Sequence, residues 1–492
     1  MMRILLCCVL FLAACATSAP APAPVADAVA ERIQRVENGL LTSNVIAGEP
    51  LAGMPLAERM RFYDTPGVSI AVINDGRIEW ARGYGVAEAG GAQPVDTATL
   101  FQAASISKPV AAMAALRLVE QGRLSLDEDV NGRLVSWKVP ENGHTREQKV
   151  TLRRLLSHSA GLTVHGFRGY AAGEPVPTLL QLLDGASPAN SAAVRADVVP
   201  GSLWRYSGGG TSVAQQLMTE VTGSPFPELM RELVLGPVGM VHSTYEQPLP
   251  VARAAKAATG HRGDGMPVAG KWHTYPEMAA AGLWTTPSDL ARLALEVQRP
   301  LRGENGGVLS PRMTREMLTL QSGEYGLGFG LVGEGRAARF SHGGANEGFR
   351  AHFVAFRETG QGAVVMTNSD NGAALASEIL RAVAREYGWD AFQSREKALA
   401  RVDTRIYPEL AGRYRIEQGG ETRWLTVSAS DDGLHAQVPG WAAPLAMHPA
   451  SEERYFFLET GVELTFVHDS AGAVDHVLIT GAGPPIRAQR ER

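Results

Sequence analysis

The sequence predicts an α+β chain with two folded units. The larger has an antiparallel sheet whose strands come from both of its sequence ends, with helices and a helical insertion between. The smaller, at the C-terminus, is built from short antiparallel strands. Three observations carry this. Two apolar runs, 67–73 and 77–83, flank Asn74-Asp75-Gly76, a hairpin signal. Residues 122–280 read as helices and loops, and strand texture returns at 349–356 and 362–368. From about Tyr407, short alternating runs recur between Gly- and Asp-rich turns: 412–416, 423–428, 433–438, 455–458, 462–467 and 474–479. That spacing, with no helix in it, fits an antiparallel barrel or sandwich.

The chain has 492 residues, long enough for more than one domain, and a 45% hydrophobic content that suits a globular protein. Its formal charge is −5, one unit more acidic once a leader containing Arg3 is removed. No basic stripe is present, which argues against a nucleic-acid partner. All three cysteines (Cys7, Cys8 and Cys15) lie at the N-terminus, so the chain beyond them has no disulfide and no cysteine metal or redox site.

Met1-Met2-Arg3 followed by an apolar core at 4–12 reads as a secretory signal peptide, too short to span a membrane. It ends in Leu12-Ala13-Ala14-Cys15, which resembles the bacterial lipobox. The resemblance implies removal of 1–14, lipidation of Cys15 and an Ala/Pro-rich tether over 15–24. Multiple acyl chains would give stable anchoring. Ala16, where an aspartate is absent, resembles outer-membrane sorting, so the expected location is the bacterial cell envelope, lipid-anchored on the periplasmic side. The competing reading is an ordinary signal with Cys15 incidental.

Residues 25–41 carry apolar side chains at Val25, Val29, Ile33, Val36 and Leu40, a helical period. The chain then reaches Phe101-Gln102-Ala103-Ala104-Ser105-Ile106-Ser107-Lys108 and an Ala-, Met- and Leu-rich helix-forming run over 110–119. Ser105 is expected at or near the first turn, with Lys108 one turn on and on the same face. A lysine in such an apolar setting, at the positive end of a helix dipole, suits a base beside a weak nucleophile. The competing reading is an N-cap serine with a chance lysine. Ser394-Arg395-Glu396-Lys397 repeats the spacing in a polar stretch and reads as surface. Further helices are expected at 151–157, at 211–221 and at 373–387; another is opened by Thr286-Pro287.

Two more stretches stand out. Tyr206 lies in a Gly-rich segment ending Ser207-Gly208-Gly209-Gly210, expected to be a loop before a helix. His342-Gly343-Gly344-Ala345 is expected at the start of a strand, where small residues leave backbone N–H groups open to a ligand. Packing of an aromatic anchor and a plain turn are the alternatives.

Ser105-x-x-Lys108, Tyr206-Ser207-Gly208 and His342-Gly343-Gly344, in that order, resemble the penicillin-recognising serine hydrolases. The branch is that of class C β-lactamases, D-alanyl-D-alanine carboxypeptidases, D-aminopeptidases and related esterases. Leu155-Leu156-Ser157-His158-Ser159-Ala160-Gly161 and Ala281-Gly282-Leu283-Trp284-Thr285-Thr286 support it, and it spans about residues 25–390. It implies a β-lactamase/transpeptidase-like fold over 25–398 and a small lipocalin-like barrel over 399–492. It also implies roles. Ser105 would be the nucleophile, and Lys108 the cation that prepares Tyr206 as general base. The N–H groups of Ser105 and Ala345 would form the oxyanion hole. His342, with Gly343 and Gly344, would face the substrate.

Two departures from the family pattern matter. Gly208 stands where an asparagine is usual, and His342 where a lysine is usual. A histidine is a weaker carboxylate anchor than lysine. Both departures favour an ester or a D-amino-acid amide or peptide over a β-lactam. The expected partner is therefore a small-molecule or peptide substrate, cell-wall-derived peptides included, with no cofactor and no metal. The alternatives are a D-alanyl-D-alanine carboxypeptidase or β-lactamase proper, and a non-catalytic peptidoglycan- or envelope-binding protein of the same fold. The neighbours His158 and Ser159 are not expected to act as a pair, since adjacent side chains at a helix end diverge. Gly-x-Ser-x-Gly is absent, which argues against an α/β-hydrolase.

Overall fold

The computed structural model describes residues 25–304, 307–418, 421–437, 443–481 and 483–491. The leader, Cys15 and the tether lie outside them. In chain order the large unit contains helix α1 (Val25–Glu37), strands β1 (Gly67–Asn74) and β2 (Arg77–Gly85), helices α2 (Ser107–Glu120), α3 (Gly208–Thr222) and α4 (Pro287–Leu301), strands β3 (Gly330–Val332), β4 (Arg339–Asn346), β5 (Phe349–Phe356) and β6 (Gly362–Thr367), and helix α5 (Gly372–Tyr387).

The strands form one six-stranded antiparallel sheet in the order β2-β1-β6-β5-β4-β3. The two sequence ends meet at β1–β6, with Ile70 opposite Val365. The β1–β2 turn takes left-handed φ at both Asp75 (50°) and Gly76 (69°), the pairing a two-residue hairpin turn requires. Strand alternation sends Val68, Ile70 and Val72 into a core with α1 and α5, and Ala71 and Ile73 into a second core on the opposite face. That second core holds α2, α3 and α4, so the helical insertion covers the face that carries the site.

Behind the sheet, Arg59 donates Nε and Nη2 to the two carboxylate oxygens of Glu378 on α5 at 2.8 and 2.7 Å, and Tyr63 donates to the same carboxylate at 2.7 Å. Glu378 is fully buried.

The C-terminal unit is a closed eight-stranded antiparallel barrel: β7 (Gly412–Gln418), β8 (Glu421–Ser430), β9 (Gly433–Gln437), β10 (Leu445–Pro449), β11 (Arg454–Phe456), β12 (Glu463–His468), β13 (Val474–Thr480) and β14 (Ile486–Arg490). Closure is by β7–β14, with Ile416 opposite Ala488. Its interior is filled by side chains such as Tyr414, Leu425, Phe457 and Phe466. Six of the strands match the sequence pattern. The other two were not legible: β10 ends in a proline, and β14 turns Arg487 and Gln489 away from the core that Ala488 enters. A single helical turn, Tyr407–Leu410, precedes the barrel, where none was expected.

Ser394-x-x-Lys397 joins the two units. Arg395–Lys397 is a short strand parallel to Asn44–Ile46, Ser394 donates to the Thr42 carbonyl, and Lys397 pairs with Glu463 of the barrel. Asn44, almost fully buried, donates to the carbonyls of Phe457 and Thr460 at 2.7 and 2.8 Å. Among the described residues no helix is long and apolar enough to cross a membrane.

Candidate active site

Ser105 sits in a short 3₁₀ turn, Ala104–Ile106, that leads directly into α2. The residue before it, Ala104, has a left-handed φ of 50°, a costly conformation for a residue with a Cβ. Ser107, fully buried, holds the turn in place. Its hydroxyl donates to the Ala104 carbonyl and accepts from the Leu283 N–H at 3.0 Å. The Tyr245 hydroxyl donates to the Ser107 carbonyl at 2.7 Å. The result is a half-buried Ser105 on a rigid corner whose neighbours are buried.

Lys108 follows on the same face. Its Nζ donates to Ser105 Oγ at 3.0 Å and to the Ala280 carbonyl at 2.7 Å. The ammonium also lies 4.9 Å from the centre of the Tyr206 ring, within cation–π range. No hydrogen bond joins the Tyr206 hydroxyl to Ser105 or Lys108; the lysine meets this residue through its ring.

Tyr206 is positioned by the residues around it. Ser207 caps α3: its hydroxyl accepts from Gly210 N–H at 2.9 Å and donates to the Thr163 carbonyl at 2.8 Å. The N–H groups of Gly208 and Gly209 reach the carbonyls of His165 and Val164, each at 3.0 Å. The glycines expected in a loop therefore form the first turn of α3, because only residues without a Cβ can pack so closely on the 163–167 segment. A Cβ at Gly208 would meet the Phe167 ring at 3.0 Å and the His165 carbonyl at 3.2 Å. The place where an asparagine side chain would stand is occupied.

His342-Gly343-Gly344 lies in the middle of β4 rather than at its start, because residues 339–341 already pair with β3. Beyond Ser341 this edge of β4 is free of β3. Gly344 lets the strand press against the Ser105 turn: a Cβ there would stand 2.2 Å from the Ala103 carbonyl. Gly343 and Ala345 are exposed along the same stretch. The strand thus brings Ala345 and the Ser105 corner together.

His342 is half-buried, but its Nε2 atom is buried and has no partner. Its Nδ1 stands 2.6 Å from the Gly343 carbonyl. A carbonyl only accepts, so Nδ1 carries the proton and Nε2 presents a bare lone pair. Burial, and then the Lys108 charge, push the ring down to about 3, so it is neutral.

Several residues that the sequence did not assign to the site lie in it. His158 packs on Tyr206 with ring centres 4.2 Å apart, and its Nδ1 accepts from Ser207 N–H at 3.2 Å. Burial, followed by Lys108 and the neighbouring histidines, drives it far below its ordinary value. Its sequence neighbour Ser159 turns instead to the Ser157 hydroxyl, so the two form no pair. His165 lies tilted beside Tyr206 at 5.0 Å, and Tyr325 meets His158 edge-on at 4.9 Å. Trp204, 42% exposed, lies beside Tyr325 with ring centres 6.0 Å apart. The density of glycines around Tyr325 (Gly323, Gly326 and Gly328) was the available signal. A cavity of about 670 Å³ lined by Leu56, Met60 and Tyr84 contains none of these groups. No cluster of three or more His, Cys, Asp or Glu suited to a metal occurs among the described residues.

Comparison with known proteins identifies the family and the fold. The family model described as Beta-lactamase matches residues 56–387. Penicillin-binding protein 4* of Bacillus subtilis is 22% identical over 456 residues, 86% of this chain and 94% of that protein. Esterase EstB of Burkholderia gladioli is 31% identical over 183 residues, 35% of this chain and 45% of the esterase. The octameric penicillin-binding protein homologue from Pyrococcus abyssi superposes with a TM-score of 0.58 at 21% identity, covering 88% of this chain and 98% of that one. With its serine, lysine and tyrosine gathered at the edge of an antiparallel sheet under a helical insertion, the chain belongs to the beta-lactamase family and is a β-lactamase-related serine hydrolase.

Proposed function

We propose that this hydrolase cleaves an ester or a D-amino-acid amide or peptide through an acyl-enzyme on Ser105. The carrying observation is the 3.0 Å contact between Lys108 Nζ and Ser105 Oγ, made by a lysine that also lies over Tyr206. Ser105 Oγ bonds to the acyl carbon while its proton passes to Tyr206 and then to the leaving alcohol or amine. The N–H groups of Ser105 and Ala345 hold the developing oxyanion. Water then attacks the acyl-enzyme, giving its proton to Tyr206, which returns it to Ser105 as the acid leaves.

The preference for these substrates over a β-lactam rests on His342 and Gly208. A neutral imidazole whose free nitrogen is an acceptor does not attract a carboxylate. Gly208, hemmed in by Phe167, supplies no amide to an acyl side chain. The kinship to a protein named an esterase supports the same reading.

The test is intact-mass analysis of a soluble chain beginning at Ala16 after exposure to a fluorophosphonate and, separately, to a penicillin, with Ser105→Ala as control. The expected result is an adduct with the fluorophosphonate alone, absent in the variant. An equally fast penicillin adduct would favour a carboxypeptidase or β-lactamase. No adduct with either would favour a binding protein. We further propose that Cys15 anchors the chain to the envelope membrane; a Cys15→Ala precursor still found in the membrane fraction would refute this.

A further inference from the structure

The Tyr325 hydroxyl is buried and has no hydrogen-bond partner. Nothing in the motif-based roles uses it. Its ring closes the cluster that holds Tyr206, edge-on to His158 at 4.9 Å and to His342 at 6.1 Å. A buried O–H without an acceptor is costly unless a second state of the site supplies one.

The groups that face Tyr206 come from four segments: Lys108 from α2, His158 from the end of helix Leu152–Leu156, His165 from the loop beyond it and His342 from β4. Tyr325, from the segment before β3, meets two of these groups, His158 and His342. His158 and His342 are neutral. His158 spends its Nδ1 lone pair on Ser207 N–H, and His342 spends its Nδ1 proton on Gly343. The remaining basic side chain buried in this set is Lys108. A deprotonated Tyr206 oxygen in such a pocket needs a further donor. His165 is exposed to solvent, and the buried O–H without a partner in the cluster is that of Tyr325. Burial, and then negative charge on Tyr206, hold Tyr325 far above its ordinary value, so it keeps its proton when Tyr206 loses one.

We propose that Tyr325 is a positioning residue for Tyr206: its hydroxyl donates a hydrogen bond to the Tyr206 oxygen in the deprotonated, proton-accepting form. The inference rests on the reading of Tyr206 as general base. The competing acceptor is His342 Nε2, buried and unpartnered in the same cluster.

The experiment is the rate of Ser105 labelling by a fluorophosphonate as a function of pH, for the wild type and Tyr325→Phe, with a melting curve for each. Removing a donor from an anion moves the rising limb to higher pH by about one to two units, with the plateau kept. At a pH below the limb this is a ten- to hundred-fold slower reaction. The phenylalanine leaves no group unsatisfied, so its melting temperature is expected to equal or exceed that of the wild type. A profile that superimposes on the wild type overturns the proposal, whatever the melting temperature, and assigns the hydroxyl to His342 or to packing alone. A wild type that is not labelled at Ser105 at any pH instead overturns the hydrolase reading, and this proposal with it.

Discussion

The Lys108 ammonium lies 4.9 Å from the centre of the Tyr206 ring while it donates to Ser105 Oγ at 3.0 Å. One side chain therefore touches both partners of the proposed proton transfer. Lys108→Met keeps most of the length of the side chain and removes the amine. The labelling rate at Ser105 is expected to fall by about 10²–10⁴-fold, the usual size of an acid–base contribution. The Ala280 carbonyl loses its donor, so stability falls by only about 1–3 kcal/mol. A variant that keeps a tenth of the wild-type rate would show that Lys108 is a structural tie.

Gly208 is closed to a side chain by its neighbours as well as by its identity. A Cβ there would stand 3.0 Å from Phe167 and 3.2 Å from the His165 carbonyl. Gly208→Asn alone is expected to lose about 1–3 kcal/mol through overpacking and to gain no reactivity with penicillin. Gly208→Asn with Phe167→Ala opens the space. The double variant should recover stability relative to the single one and acquire a penicillin adduct on Ser105. Chemical denaturation and intact mass measure the two effects. A single variant as stable as the wild type would contradict the crowding.

The parts of the site that obey a local period were legible in the sequence. Ser105 and Lys108 are one helical turn apart, so their approach follows from spacing and from the apolar run that makes α2. Tyr206 and His342 are far apart in the chain, and no periodicity joins them; only their resemblance to a known set of motifs did. Gly208–Gly210 were misread as loop because glycine has low helix propensity. A capping serine and a close neighbour at Thr163–Phe167 override that propensity. Tyr325 and His158 were invisible as site residues because their role depends on which rings meet, and that is fixed by tertiary packing. The barrel was legible where strands alternate cleanly, and lost at β10 and β14, where a proline and charged residues mask the alternation.

Arg59 and Glu378 form a buried pair with two parallel hydrogen bonds, and the Tyr63 hydroxyl adds a third to the carboxylate. Glu378 is fully buried, so removing its partner strands an uncompensated charge. Arg59→Met should cost about 3–5 kcal/mol in urea unfolding. The double variant Arg59→Met/Glu378→Gln should recover much of that, because no charge remains to be desolvated. A double variant as unstable as the single one would mean that the loss comes from packing of the arginine stem.

Buried titrating groups give this fold two opposing responses to pH. His342 is pushed down to about 3 and His352 to about 4, both chiefly by burial, and His158 lies far below its ordinary value for the same reason. Unfolded histidines take up protons near 6.5, whereas these do so only in stronger acid. The unfolded state binds more protons over that interval, so stability falls as the pH drops below about 6.5. Glu277 acts the other way. It is fully buried, both carboxyl oxygens lack partners, and burial raises it from 4.5 to about 8. The folded state there holds a proton that the unfolded chain has released, so between those values stability falls as the pH rises. Glu277→Gln isolates this limb. The neutral amide resembles the protonated acid, so the variant should match the wild type near pH 4 and melt higher at pH 8, while keeping the acid-side fall due to the histidines. Melting temperatures across pH 4–9 decide it: a constant offset between the two proteins at every pH would mean that Glu277 is not the group that titrates.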